Sequence, residues 1–135
     1  MAELTIDATL DQLDTVLDFV NKQMEAEGCS LKLMAQVDMA VEEIFVNIAR
    51  YAYHPEVGKA QVRCEAGGDP FQVVVGFADR GKPYNPLDRE DPDVTLSAEE
   101  RQIGGLGILM AKKLMDDIQY EFREGQNILT LRKNG

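Results

Sequence analysis

Two helix-period segments stand back to back in this chain before any long strand, and that arrangement limits the fold more than any other feature. From about Thr9 to Glu27, Leu10, Leu13, Leu17 and Val20 recur at three- and four-residue spacing, the mark of an amphipathic helix. Gly28 is placed as its C-cap. Ser30 is placed as N-cap of a second helix with the stripe Leu33, Val37, Ala40, Val41, Ile44 and Ile48, running to about Tyr51. His54-Pro55 then ends it, because the residue before a proline avoids the α region. A short strand around Leu4 and Ile6 opens the chain. Residues 59–66 alternate apolar and polar, Gly67-Gly68-Asp69-Pro70 reads as a turn, and the valine-rich run 71–77 reads as a central strand completing a hairpin. From Asp79 to Gln102 runs a long loop rich in proline and acid. It leads into a third helix with Leu106, Leu109, Met110 and Leu114 on one face, and two strands, about Asp117–Arg123 and Asn127–Arg132, follow.

The order is β-α-α-β-β-loop-α-β-β. A doubly wound parallel sheet needs strands and helices to alternate, and here they do not. The expected fold is therefore α+β: a two-layer α/β sandwich with three helices packed on one mixed, mainly antiparallel sheet. At roughly 150 residues per domain, 135 residues make one domain, 1–135. The chain carries 24 acidic against 14 basic side chains, a net charge of −10. Such a field repels phosphate backbones and anionic lipid, which argues against direct nucleic-acid or membrane binding. Two cysteines, Cys29 and Cys64, and a single histidine, His54, leave no disulfide framework, four-ligand zinc site or His-rich metal centre. No charged-then-apolar leader opens the chain, and apolar runs reach about six residues where a membrane span needs ~20. A soluble, cytoplasmic setting is expected.

Three clusters could carry chemistry. Glu43 and Asn47, four positions apart, share a helical face beside the Ile44–Ile48 stripe, where a carboxylate can take a proton and a neutral amide oxygen can meet a hard cation. Asp79-Arg80-Gly81-Lys82-Pro83 follows the valine-rich strand and sets an acidic acceptor beside a glycine. Gly104-Gly105-Leu106-Gly107 opens the third helix, where free N–H groups suit an anion. It is neither the Walker pattern nor the dinucleotide fingerprint. Taken singly, each has a plain alternative: an exposed polar pair, a strand-ending turn, a hinge before a helix.

Their conjunction and order resemble the GHKL, or Bergerat-fold, ATP-binding superfamily. Within it the chain looks like the anti-sigma regulatory factors that are serine/threonine-protein kinases. The similarity covers essentially the whole chain, and residues 104–117 are its most family-like stretch. The resemblance implies ATP and Mg²⁺ as cofactors. Glu43 would be the general base toward a serine of a protein substrate, and Asn47 the Mg²⁺ ligand. Asp79 would accept the adenine amino group with Gly81 beside the ring, while Gly105, Leu106 and Gly107 would cradle phosphate under an ATP lid at about 84–102. The implied partners are an anti-sigma-factor antagonist, phosphorylated on serine, and a sigma factor or similar regulator held sequestered; a homodimer is implied as well. The chain departs from the family pattern at three places. Ile103 stands where some family kinases carry arginine, Asn127 where threonine is often found near the adenine, and Tyr51 where histidine is common. The rival reading is a kinase-inactive module that binds ATP, or only its partner, as a switch. A sensor histidine kinase fragment fits less well, because no dimerisation helix carries a phospho-accepting histidine.

Overall fold

A computed structural model describes residues 2–53, 56–88 and 105–135. Five strands, β1 (Ala2–Asp7), β2 (Lys59–Gly67), β3 (Gln72–Asp79), β4 (Asp117–Arg123) and β5 (Gln126–Asn134), form one sheet in the order β1-β2-β3-β5-β4. Three helices, α1 (Leu13–Ala26), α2 (Leu31–Tyr51) and α3 (Gly105–Leu114), form the second layer. The two-layer α+β expectation holds. Its mixed component does not: all four ladders are antiparallel. β2–β3 and β4–β5 are hairpins, which are antiparallel by construction, and the two remaining pairings, β1 with β2 and β3 with β5, run the same way.

Local chemistry sets the helix ends. Gly28, at φ 75°, ends α1 in the left-handed conformation, with Gly28 N–H donating to Glu25 and Cys29 N–H to Met24 in a Schellman pair. The Ser30 hydroxyl then accepts the Leu33 N–H at 3.2 Å and caps α2. The helix closes at Tyr51; His54 and Pro55 lie outside the described residues.

The sheet buries Val62, Cys64, Val73, Val75, Phe77, Leu129 and Leu131 against Val37, Val41, Ile44 and Phe45 of α2. Each such side chain contributes about 1.5–3 kcal/mol on leaving water. On α1 the buried stripe is Val16, Val20 and Met24, with Leu13 and Leu17 on its flank. Leu10, expected in that stripe, is half exposed: it lies in a separate 3₁₀ turn, Leu10–Gln12, just ahead of α1. The third helix is also turned: Ala111 and, just past its end, Met115 are buried, and Met110 is exposed. Helix α3 packs against α2, and its Ala111 is fully buried.

Candidate functional site

A cavity of about 40 Å³ lies where α2, the end of β3 and the β4–β5 pair meet. Ile44, Ile48, Ala52, Phe77 and Leu129 form its apolar walls, and Asn47, Asp79, Asn127 and Tyr120 are its polar groups. Lys82, Tyr84 and Pro86 close one side. Apolar walls with few convergent polar groups are the usual make-up of a small-molecule site.

Asp79 is the last residue of β3, two positions beyond the strand end expected from the valine run. It pairs in register with Asn127 of β5, and both side chains face the helical layer and are buried. Asp79 Oδ1 accepts two hydrogen bonds, from Gly81 N–H at 2.9 Å and from Asn127 Nδ2 at 2.9 Å. Asn127 Nδ2 also donates to Lys82 O at 2.9 Å, and its Oδ1 accepts from Tyr84 N–H at 3.1 Å and from the Tyr120 hydroxyl. The segment after β3 is thereby tied to the neighbouring strands.

Gly81 is required by packing. A Cβ at this position would lie 2.2 Å from Ala52 O, at the end of α2, and Lys82 N–H donates to that same carbonyl at 2.9 Å. The glycine thus lets the turn after β3 approach the helix backbone; it does not itself line the cavity. Tyr51 and Tyr84, with ring centroids 6.3 Å apart, span the same junction nearer the surface.

Asn47 is buried on α2 and lines the cavity. Its Nδ2 donates to the backbone carbonyl of Glu43 at 2.7 Å. A carbonyl can only accept, so the amide orientation is defined and Oδ1 is the remaining atom. That oxygen is buried with no hydrogen-bond partner among the described residues. A buried acceptor left so costs about 1–3 kcal/mol, which favours a cationic or protic occupant. Mg²⁺ fits this donor: it takes few protein oxygens and completes its shell with water and phosphate. Among the described residues no three His, Cys, Asp or Glu side chains gather to hold a metal by themselves.

Glu43, one turn earlier, is half-buried and outside the cavity lining. Burial lifts its carboxyl above the ordinary glutamate range, Glu42 adds to the rise, and Arg50 pulls against it. Gly105 begins α3, so the amides of Gly105, Leu106 and Gly107 belong to the first turn, which has no intrahelical acceptors. Gly104, Ile103 and residues 89–102 of the expected lid lie outside the described residues.

The structure therefore brings Asn47, Asp79 and Asn127 into one cavity and leaves Glu43 and Gly81 outside its lining, with Gly105–Gly107 in the first turn of α3. Sequence reasoning missed Tyr120, Tyr84 and Lys82. For Tyr120 a signal existed, since its place in β4 opposite Leu129 sets it on the inward face. Tyr84 and Lys82 follow a strand in irregular backbone, where no period marks an inward residue.

An antiparallel sheet roofed on one face by helices, with an acid-tipped apolar cleft under the central helix, defines a ligand-binding α+β domain. A family model described as histidine kinase-like ATPase domain matches residues 6–133, and the chain belongs to that family. Serine/threonine-protein kinase BtrW of Bordetella bronchiseptica is 28% identical over 102 residues, covering 76% of this chain and 71% of that protein. Serine-protein kinase RsbW of Bacillus cereus is 32% identical over 93 residues, covering 67% of this chain and 58% of the relative's length. The crystal structure of the RsbU and RsbW domains of Rv1364c from Mycobacterium tuberculosis aligns with 98% of this chain and 32% of its own, with a TM-score of 0.63 at 20% identity. That similarity shows the fold.

Proposed function

We propose that this chain binds ATP with Mg²⁺ in the α2–β3 cavity and acts as a serine/threonine-protein kinase of the anti-sigma type. Its substrate would be a serine of an anti-sigma-factor antagonist, and it would sequester a sigma factor or similar regulator, working as a homodimer in the cytoplasm. One observation carries the nucleotide reading: a buried carboxylate at the end of β3 and a partnerless amide oxygen on α2 line the same apolar-walled cavity.

In this reading a flat base enters between the apolar walls and its exocyclic amino group donates to Asp79. Asn47 Oδ1 would hold Mg²⁺, which when bound neutralises charge on the phosphates. The amides of Gly105, Leu106 and Gly107 would meet phosphate oxygens at the start of α3. Glu43 takes the proton of the substrate serine as that oxygen bonds to the γ-phosphorus and the bond to the β–γ bridging oxygen breaks, leaving phosphoserine and ADP. A carboxyl lifted by burial is a stronger base than an exposed one, provided it is ionised.

Calorimetric titration with Mg²⁺-ATP tests the site. Wild type should bind, and Asp79→Asn and Asn47→Ala should each weaken binding roughly tenfold or more, the size expected for a hydrogen bond to a charged group. Wild-type affinity in both variants would sink the assignment. A second reading, a kinase-inactive ATP-dependent switch, is favoured by Glu43 lying outside the cavity lining.

A further inference from the structure

We infer that Asn127 is the positioning residue for base recognition: it turns Asp79 so that Oδ2, not Oδ1, meets the ligand, and it offers the ligand nothing itself. The inference rests on the nucleotide reading above. An asparagine side chain has two N–H groups and two acceptor sites. Here all are taken within the protein. Nδ2 donates to Asp79 Oδ1 and to Lys82 O, each at 2.9 Å, with Gly81 O at 3.4 Å as a longer third contact. Oδ1 accepts the Tyr84 N–H and the Tyr120 hydroxyl. A flipped amide would set its oxygen against a carboxylate and a carbonyl, so the arrangement has a single satisfied orientation.

The consequence falls on Asp79. Asn127 and the Gly81 N–H both bind Oδ1. Oδ2 receives no hydrogen bond among the described residues, while Asp79 lines the cavity. The saturated amide therefore leaves one open acceptor on a lining residue for an exocyclic amino group. It also holds Lys82 and Tyr84, both lining residues, at the cavity's side. A threonine here could donate only one hydrogen bond. It would have to give up either Asp79 or the Lys82 carbonyl, and with it the lock on the carboxylate.

The test compares Mg²⁺-ATP with purine riboside triphosphate, which lacks the 6-amino group, on wild type, Asn127→Thr and Asp79→Asn by calorimetry. Thermal unfolding of each variant is followed in parallel. Wild type is expected to prefer ATP by about tenfold or more. Asn127→Thr should reduce that preference to about threefold or less while binding the analogue within about twofold of wild type, and adding Asp79→Asn should cost little further, because coupled residues are non-additive. If Asn127→Thr does not unfold cooperatively, Asn127→Ser carries the same comparison. Retention of the full ATP preference overturns the inference. So does an equal loss of ATP and analogue, which is the mark of a wall that has merely collapsed. A wild type that binds neither nucleotide removes the nucleotide reading itself, whereas one that binds both alike overturns the inference by removing the recognition of the amino group, and either failure shows before any Asn127 variant is made.

Discussion

The two ends of the cavity are built on opposite principles. At the β3–β5 end, Asn127 is hydrogen-bonded to capacity, and Asp79, Gly81, Lys82, Tyr84 and Tyr120 are tied to one another through it. At the α2 end the pattern is opposite: Asn47 Oδ1 is buried with no partner among the described residues, and Glu43, one turn away and outside the lining, has a carboxyl raised by burial. At the first end only Asp79 Oδ2 is left open beside a saturated amide; at the second the buried amide oxygen itself lacks a partner among the described residues. Under the proposed function, such a site would hold the shape that reads the base in advance and leave its unmet electrostatics where charge would be gathered for phosphoryl transfer. The difference is measurable, because stability and function should respond oppositely at the two ends.

The largest effect is expected at Glu43. Glu43→Gln should lower phosphotransfer to a cognate partner about 10²–10⁴-fold, the usual contribution of a general base. ATP affinity should stay within about twofold. The raised carboxyl also has a sign. Glu43 serves as a base only when ionised, so the wild-type rate should fall as pH falls, with its acid limb above the 4.5 of an ordinary glutamate. A glutamine variant that phosphorylates at the wild-type rate would remove Glu43 from the chemistry and favour the switch reading.

Next in size is Gly81→Ala at the satisfied end. The new methyl would meet Ala52 O at 2.2 Å, backbone against which no side chain can yield. Forcing such an overlap costs about 1–3 kcal/mol. Urea unfolding should show a lower midpoint, with ATP binding weakened as the turn is displaced from α2. An unchanged midpoint would mean that the turn is not held against the helix.

Asn47→Leu sharpens the contrast with the smallest shift. Removing an unpartnered buried oxygen relieves part of its cost, and the adjoining cavity has room for the larger side chain. Ligand-free protein should melt about 2–4 °C higher, the scale of a fraction of a kcal/mol to 1 kcal/mol at this chain length. Mg²⁺-ATP should then raise the melting temperature less than it does for wild type. A destabilised apo variant would show that the Asn47–Glu43 hydrogen bond outweighs the orphaned oxygen.

Much of the layered fold was legible in the primary structure. The 3.6-residue spacing along α2, the Ser30 cap, the Gly28 stop and the alternation of β2 each act within a few residues, and each appears as expected. What failed was rotational and supramolecular to those segments. Leu10 and Met110 satisfy a helical period yet face outward, since a period marks a stripe without saying which neighbour will cover it. Phe45, fully buried, was absent from the expected stripe for the same reason. At the site, Asn47 and Asp79 were identifiable as polar residues in suggestive places. Tyr120 and Tyr84 were not, because their part depends on strands and turns distant in sequence.

By itself, then, the sequence determined the element order, the helix ends and the polar residues available for chemistry, because propensity, capping and periodicity are short-range. The tertiary structure decided which of those residues meet. Pairing β3 with β5 sets Asp79 against Asn127, 48 positions away, and seating α2 over that pair brings Asn47 into the same cavity. Such contacts arise from strand register and layer packing, which depend on the whole chain closing around one core rather than on any segment within it.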